Sequence, residues 1–242
     1  MKYYFITGTS SGLGNALCRL ILEDRNSRVI GISRQNTINH DQYTHFHLDL
    51  SDIGKLKSSV DQIFRPLPDV DRIVLINNAA TLGQVGHLGN LNNDRIHETL
   101  NLNVIAPAIL TNGFLHKYYH CNDCHKVILN ISSGAGKRPT DGWSLYCSSK
   151  AAVDMLSEVG SVEKQKDHQN LKIFSVSPGI VDTPMQDQIR ELRKEDFSRV
   201  EEFIEYKKEN MLVSPEKVAK KILHIIEHDQ DFHEPLLSVR SI

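Results

Sequence analysis

Three side chains in this sequence have the types and spacing of a proton-donating site. Ser132 and Ser133 close an apolar run, Tyr146 follows thirteen residues after Ser133, and Lys150 follows four residues after Tyr146 in "DGWSLYCSSK". On a helix, positions four apart share a face, so the phenol and the ammonium stand together. A phenol with an ordinary pKa of about 10 becomes a better acid beside a fixed positive charge. It then gives a proton to a carbonyl oxygen as hydride arrives, or takes one from an alcohol in the reverse direction. The same spacing also arises on ordinary amphipathic helices, so its meaning depends on what surrounds it.

The surroundings point to a dinucleotide. "TGTSSGLG" (Thr7 to Gly14) joins a predicted strand to a predicted helix near the N-terminus. A turn there brings backbone N–H groups and a helix N-terminus against a pyrophosphate, which leaves no room for side chains at Gly8, Gly12 and Gly14. About twenty residues past the last glycine, where an NAD-binding chain carries an acid for the ribose hydroxyls, this sequence has Arg34. A guanidinium suits a 2′-phosphate through forked, charge-assisted hydrogen bonds, so NADP(H) is the expected cofactor. Asp49 and Leu50 end the next apolar run; Asp49 is placed to accept from an adenine amino group, with Leu50 offering backbone, or to cap the following helix, for which Ser51 and Asp52 are better placed. "INNAA" (Ile76 to Ala80) puts two amides and small residues where backbone passes close to a cofactor, or simply makes a turn.

These residues need a scaffold that gathers strand ends. Apolar runs rich in Val, Ile and Phe at 3 to 8, 28 to 33, 45 to 50, 72 to 79, 126 to 132, 172 to 178 and 235 to 239 alternate with helical patterns at 12 to 25, 52 to 65, 92 to 119, 145 to 167 and 215 to 228. That alternation predicts an α/β chain, a Rossmann-type doubly wound parallel sheet of about seven strands in one domain over residues 1–242. Ser214 and Pro215 mark the start of the last helix. The charged stretch from Met185 to Met211 is either a solvated helical face or a lid over the carboxyl ends of the strands; its position between the sixth strand and the last helix favours the lid.

Composition excludes several classes. The 242 residues are 40% hydrophobic and 24% charged with a net charge of -2, which gives no field for nucleic acid or anionic membrane. No leader or spanning segment is read, so a cytoplasmic protein with a small-molecule partner is expected. Four scattered cysteines do not make a disulfide framework. "HCNDCH" (His120 to His125) has a C-x-x-C between two histidines; a zinc or redox site is one reading and a polar loop the other, and with no second ligand pair no metal is assigned.

Taken together, "TGTSSGLG", "NNAA", "NISS", "YCSSK" and "SPGIVDT" resemble, in order and spacing, the short-chain dehydrogenase/reductase family over essentially the whole chain. The resemblance implies a reductase or dehydrogenase of carbonyl and alcohol groups, with Tyr146 as acid/base and Ser133 on the substrate carbonyl. Lys150 would serve the nicotinamide ribose and the tyrosine pKa, and Asn103 in "LNLNVIAP" a water in a proton relay. It assigns Ile6, Gly8, Ser10, Ser11, Gly12, Leu13, Gly14, Arg34, Asp49, Leu50, Asn78, Ala79, Tyr146 and Lys150 to the cofactor. Pro178, Gly179, Val181 and Thr183 join them on the nicotinamide side. It also implies a homodimer or homotetramer through the helices at 92 to 119 and 145 to 167. Ala80 stands where the family usually has glycine, and Ser11 where many NADP-preferring members have a basic residue. Within the family, "ISSGAGK", "GWSLYCSSKAAVDM" and "SPGIVDTPMQDQIR" look like reductases of vicinal diketones such as benzil, which give (S)-hydroxyketones. They look less like reductases of pterin side-chain carbonyls, whose C-terminal acid is replaced here by Ser238. A flat aromatic dione would need apolar walls, for which Leu82, Trp143 and Met185 are candidates beside Ser133 and Tyr146. A non-catalytic NADP-sensing protein is a further alternative, one that would have no need of the tyrosine and lysine.

Overall fold

A computed structural model of the chain describes residues 1–121, 123–165 and 170–242. Seven strands form one sheet, all pairs parallel, in the order β3-β2-β1-β4-β5-β6-β7. They are β1 (Lys2–Thr7), β2 (Ser27–Ser33), β3 (Tyr43–His47), β4 (Arg72–Asn77), β5 (His125–Ile131), β6 (Leu171–Ser177) and β7 (Leu236–Ser238). The order reverses between β1 and β4, which opens a crevice at the carboxyl ends of the central strands.

Side chains alternate across the central strands as a period of two requires. Tyr4 and Ile6 of β1, Val74 and Ile76 of β4, and Val127, Leu129 and Ile131 of β5 join the core under α1 (Gly12–Ile21) and α8 (Pro215–Glu227). Tyr3, Phe5, Ile73, Leu75 and Ile128 face α2 (Ile53–Ile63) and α4 (Ala106–Tyr118) on the other side. There Phe5, Phe64, Phe114 and Tyr118 meet mostly edge to face. The long helix α5 (Ser144–Gln165) packs over β6 and beside α3 (Asn93–Leu100).

The expected boundaries shift where polar side chains capture the backbone. α1 stops at Ile21 rather than residue 25, because Asp24 accepts from the Asn26 amide (2.9 Å) and the Ser27 hydroxyl (3.0 Å) and forms a turn. β3 stops at His47, and Asp49 takes the Ser51 amide at 2.9 Å, so Asp49 and Leu50 lie in the connection beyond the strand. The helix expected from 92 to 119 is interrupted: α3 gives way to a π turn over Asn101–Ile105 before α4 begins. Asp52 caps α2 through the Lys55 amide (3.0 Å), and Ser214 caps α8 through the Lys217 amide (3.4 Å), as their positions predict. The charged stretch folds into α6 (Pro184–Arg190) and α7 (Val200–Lys208), and the strand expected over 235 to 239 is a three-residue edge.

In the "HCNDCH" stretch, His125 is engaged with Asp229 (2.7 Å), and Lys126 donates to the carbonyls of Cys121 (2.5 Å) and Cys124 (3.0 Å). Burial pushes the Cys124 thiol up to about 12. Among the described residues no group of three or more His, Cys, Asp or Glu side chains is placed to hold a metal ion. No helix among them is long and apolar enough to cross a membrane.

Candidate active site

The crevice is stitched together by Thr7, the last residue of β1. Its hydroxyl accepts from the amides of Asn78 and Ala79, both at 2.9 Å, and the Asn78 side chain donates back to the carbonyls of Thr7 (2.9 Å) and Gly8 (3.2 Å). The turn after β4 is thereby fixed against the glycine turn. Gly14 has no room for a side chain: a Cβ there would stand 2.2 Å from the Gly8 carbonyl oxygen and 2.5 Å from Asn78 Nδ2. Gly12 has φ +55°, in the left-handed region that favours glycine, and a Cβ on it would approach Thr183 Cγ2 at 3.2 Å. The turn after β1 and the "PGIVDT" segment after β6 are therefore neighbours, as a molecule spanning both would require.

These residues fit a dinucleotide. Ser11 precedes α1 in extended conformation without capping it by its side chain, so the first amides of that helix remain for an anion. Ser11 is exposed and Ser10 half-buried in the turn, whereas Leu13, Leu50 and Val181 are buried. Ile6 is fully buried with its side chain in the core, so only its backbone faces the crevice end of β1. Behind the turn, Thr9 bonds Ser33 (3.1 Å) and the Tyr43 hydroxyl (2.9 Å), which holds the end of β2 close. Arg34 projects from that end with its side chain 77% exposed and one guanidinium nitrogen 4.0 Å from Asp49. Burial raises the Asp49 pKa, but bonds from the Ser51 hydroxyl and amide outweigh it, with Arg34 adding to them, and the carboxyl is net lowered.

Ser133, Tyr146 and Lys150 meet at the carboxyl end of β5. Ser133 leaves the strand extended and its hydroxyl oxygen accepts from the Ala135 amide at 3.2 Å, so its hydrogen remains to be donated. Lys150 is 3% exposed, with Nζ donating to the Ile131 carbonyl at 2.8 Å and lying 5.6 Å from the centre of the Tyr146 ring. Burial lowers the lysine to about 8, opposed by Asp154 one turn along. Burial pushes the Tyr146 phenol up to about 12, against the bond from Ser133, which lowers it. The expected lowering by Lys150 is thus absent from the protein by itself, since the ammonium turns to a carbonyl and burial wins.

Asn103 sits in the π turn and is 1% exposed. Its amide nitrogen donates to the Thr81 carbonyl (2.8 Å) and the Ser149 hydroxyl (3.1 Å), while its oxygen accepts from the Thr81 amide (2.9 Å). These bonds tie the segment after β4 to α5, and the π turn that carries Asn103 is of a kind that concentrates at functional sites.

Leu82, Trp143 and Met185, the candidates for apolar walls, lie together in the structure. Leu82, Trp143 and Tyr146 form one cluster with Ile189, Phe197, Val200 and Phe203, and Met185 packs against it. Trp143 lies parallel to Phe197 (ring centres 4.8 Å apart, 8° between planes) and edge-on to Tyr146 (5.6 Å, 80°). The segment between α6 and α7 is held against this cluster: Asp141 accepts from the Ser198 amide (2.9 Å) and hydroxyl (2.8 Å), and a Cβ at Gly142 would stand 2.0 Å from the Asp196 carbonyl oxygen. Phe197, Phe203, Thr7 and Thr81 were missed by sequence reasoning. Thr7 opens the glycine motif and could have been found; the phenylalanines lie in a charged stretch and carry no local signal.

Residues 2–194 match the family model described as short chain dehydrogenase. The chain is similar to benzil reductase ((S)-benzoin forming) of Bacillus cereus, 39% identical over 95% of this chain and 96% of the relative. It is 32% identical to sepiapterin reductase of Rattus norvegicus over 93% of this chain and 90% of the relative. Among solved structures, a short chain dehydrogenase/reductase from Saccharomyces cerevisiae superposes with a TM-score of 0.84 at 22% identity, covering 99% of this chain and 96% of that one. A 4-hydroxyisoleucine dehydrogenase complexed with NADH gives 0.79 at 23% identity, covering 98% and 96%; both likenesses concern the fold. With the Ser133, Tyr146 and Lys150 set on a seven-stranded parallel sheet, these matches make the chain a member of the short-chain dehydrogenase family of oxidoreductases acting on carbonyl and CH-OH groups.

Proposed function

We propose that this protein is an NADPH-dependent reductase that converts one carbonyl of a vicinal diketone such as benzil to an (S)-hydroxyketone. The observation that carries the reading is a buried phenol at the carboxyl end of β5, with Ser133 and the Lys150 ammonium beside it and apolar aromatic rings packed against it. A bound nicotinamide dinucleotide supplies the hydride. Tyr146 gives its proton to the carbonyl oxygen as that oxygen gains charge, and Ser133 donates to the same oxygen and orients it. The Lys150 ammonium lies close enough to stabilise the phenolate left behind, with the Ile131 carbonyl holding it there.

The dione reading draws on the likeness to the benzil reductases and on the wall of Leu82, Trp143, Phe197 and Met185, which suits flat aromatic groups. A pterin reading has less support, because the Ser238 hydroxyl accepts from the Arg240 amide (3.3 Å) where an acid would be needed. The preference for NADPH draws on Arg34, an exposed guanidinium at the end of β2. A homodimer or homotetramer draws on a stripe of exposed Met155, Val159 and Val162 along α5, with exposed Ile105 in the π turn.

With NADPH and benzil, Tyr146→Phe lowers kcat by roughly 10²- to 10⁴-fold, followed as loss of nicotinamide absorbance; turnover equal to the wild type would remove Tyr146 from the chemistry. Arg34→Asp weakens NADPH roughly tenfold or more and spares NADH, measured as the ratio of their dissociation constants; an unchanged ratio would mean that Arg34 does not read the phosphate. In sedimentation, the double variant Met155→Lys, Val159→Lys runs as a monomer while the wild type runs as a dimer or tetramer. A monomeric wild type would refute assembly through this face.

A further inference from the structure

Asp154 is a buried carboxylate that the reaction described above leaves without a task. It is 7% exposed, on α5 where that helix packs over β6. A carboxylate out of water is costly unless hydrogen bonds and a nearby cation hold it. Its Oδ1 accepts from the Ser175 hydroxyl of β6 at 2.6 Å. Its Oδ2 lies under the turn that follows Ser133: a Cβ on Gly136 would stand 2.9 Å from that oxygen and 2.9 Å from the carbonyl carbon of Lys150. The Gly136 amide donates to the Ser133 carbonyl at 3.0 Å. The turn that carries Ser133 therefore closes over α5 between Lys150 and Asp154, with glycine at the point of contact, and shields the carboxylate from water.

The position of this anion relative to Lys150 gives it a use. The two residues are four apart on α5 and share a face. Lys150 is 3% exposed and donates to the Ile131 carbonyl at 2.8 Å, a neutral acceptor that satisfies an N–H and leaves the positive charge uncompensated. Burial draws the lysine down to about 8, and Asp154 acts in the opposite direction. Among the described residues Asp154 is the charge that acts on Lys150. Tyr146 and Cys147 are the titratable groups nearby on the same helix, while β5, β6 and the π turn bring the Ile131 carbonyl, the Ser175 hydroxyl and the Asn103 amide, none of them charged. A neutral side chain at position 154 could bond Ser175 equally well, so hydrogen bonding alone does not call for a carboxylate there.

We propose that Asp154 is a positioning residue whose carboxylate keeps the buried Lys150 ammonium charged beside Tyr146, and thereby sets the alkaline limit of turnover. The inference rests on the roles proposed for Tyr146 and Lys150 and deepens them; it does not depend on which carbonyl compound is reduced. No bond is made or broken at Asp154. A fixed negative charge favours the ammonium, so its removal lets Lys150 lose its proton at lower pH. The same removal favours the phenolate, so Tyr146 also gives up its proton earlier. Both effects move the alkaline limb of the coupled pair toward neutral pH.

Asp154→Asn keeps the side-chain shape and an oxygen for Ser175 while removing the charge. The pH dependence of kcat/KM is measured with NADPH and a panel of carbonyl compounds headed by benzil. The alkaline limb of the variant lies roughly one to two pH units below that of the wild type. Ser175→Ala removes the hydrogen bond and leaves the charge, so its limb stays where the wild type has it, whatever happens to the rate. Should Asp154→Asn fail to fold, Asp154→Ser is the second neutral variant. A neutral variant whose limb coincides with that of the wild type, or an equal shift in Ser175→Ala, would overturn the role of Asp154 alone. Turnover that survives Tyr146→Phe, or that the wild type lacks across the whole panel, would remove the proposed reaction, and this inference with it.

Discussion

An ammonium group that is 3% exposed must be held by oxygen or give up its proton, and the arrangement of this site follows from how that demand is met at Lys150. The Ile131 carbonyl takes one of its three N–H donors at 2.8 Å. Ile131 ends β5, so the lysine is registered against the sheet, and Tyr146, one turn earlier on α5, is registered with it. Asp154, one turn later, moderates the cost of burying the charge and is itself held by the Ser175 hydroxyl of β6 at 2.6 Å. Beneath them Asn130 donates to Ser157 of α5 (2.8 Å) and accepts from Asn77 of β4 (2.8 Å). A chain of buried polar contacts thus fixes the height of α5 over the strand ends. Buried networks of this kind specify one arrangement because an unmet member is expensive.

The fold was legible because its code is local and repeated. Strand runs are apolar on alternate positions, and the glycine turn, Asp52 and Ser214 mark helix starts through chemistry within a few residues. The errors fall where a single side chain redirects the backbone, as Asp24 does in ending α1, or where a long helical pattern conceals a π turn. "LNLNVIAP" has nothing in its periodicity to distinguish α-helix from a π turn; the turn goes with the burial of Asn103 against Thr81 and Ser149, a tertiary demand. The site divides in the same way. Ser133, Tyr146, Lys150 and the glycines announce themselves by spacing, and the sheet gathers them. The phenol's acidity did not, since whether it rises or falls depends on burial and on where the ammonium points.

The aromatic cluster around Trp143 is the part furthest from sequence. Phe197 and Phe203 sit among charged residues in "KEDFSRVEEFIEY", and only the folding back of the segment between α6 and α7 onto Trp143 reveals why they are apolar. That segment is held at Asp141, close to the N-terminus of α5 that also carries Tyr146, so the rings that cover Trp143 and the helix that carries the phenol share one anchor.

The central claim is that a substrate carbonyl is seated between Ser133 and Tyr146 beneath the aromatic wall. A crystal structure with nicotinamide cofactor and an unreactive diketone analogue tests it most directly. The account predicts one carbonyl oxygen within hydrogen-bonding distance of both Ser133 Oγ and the Tyr146 hydroxyl, with Lys150 still near the phenol. An analogue bound in the crevice with neither oxygen reaching that pair would contradict it.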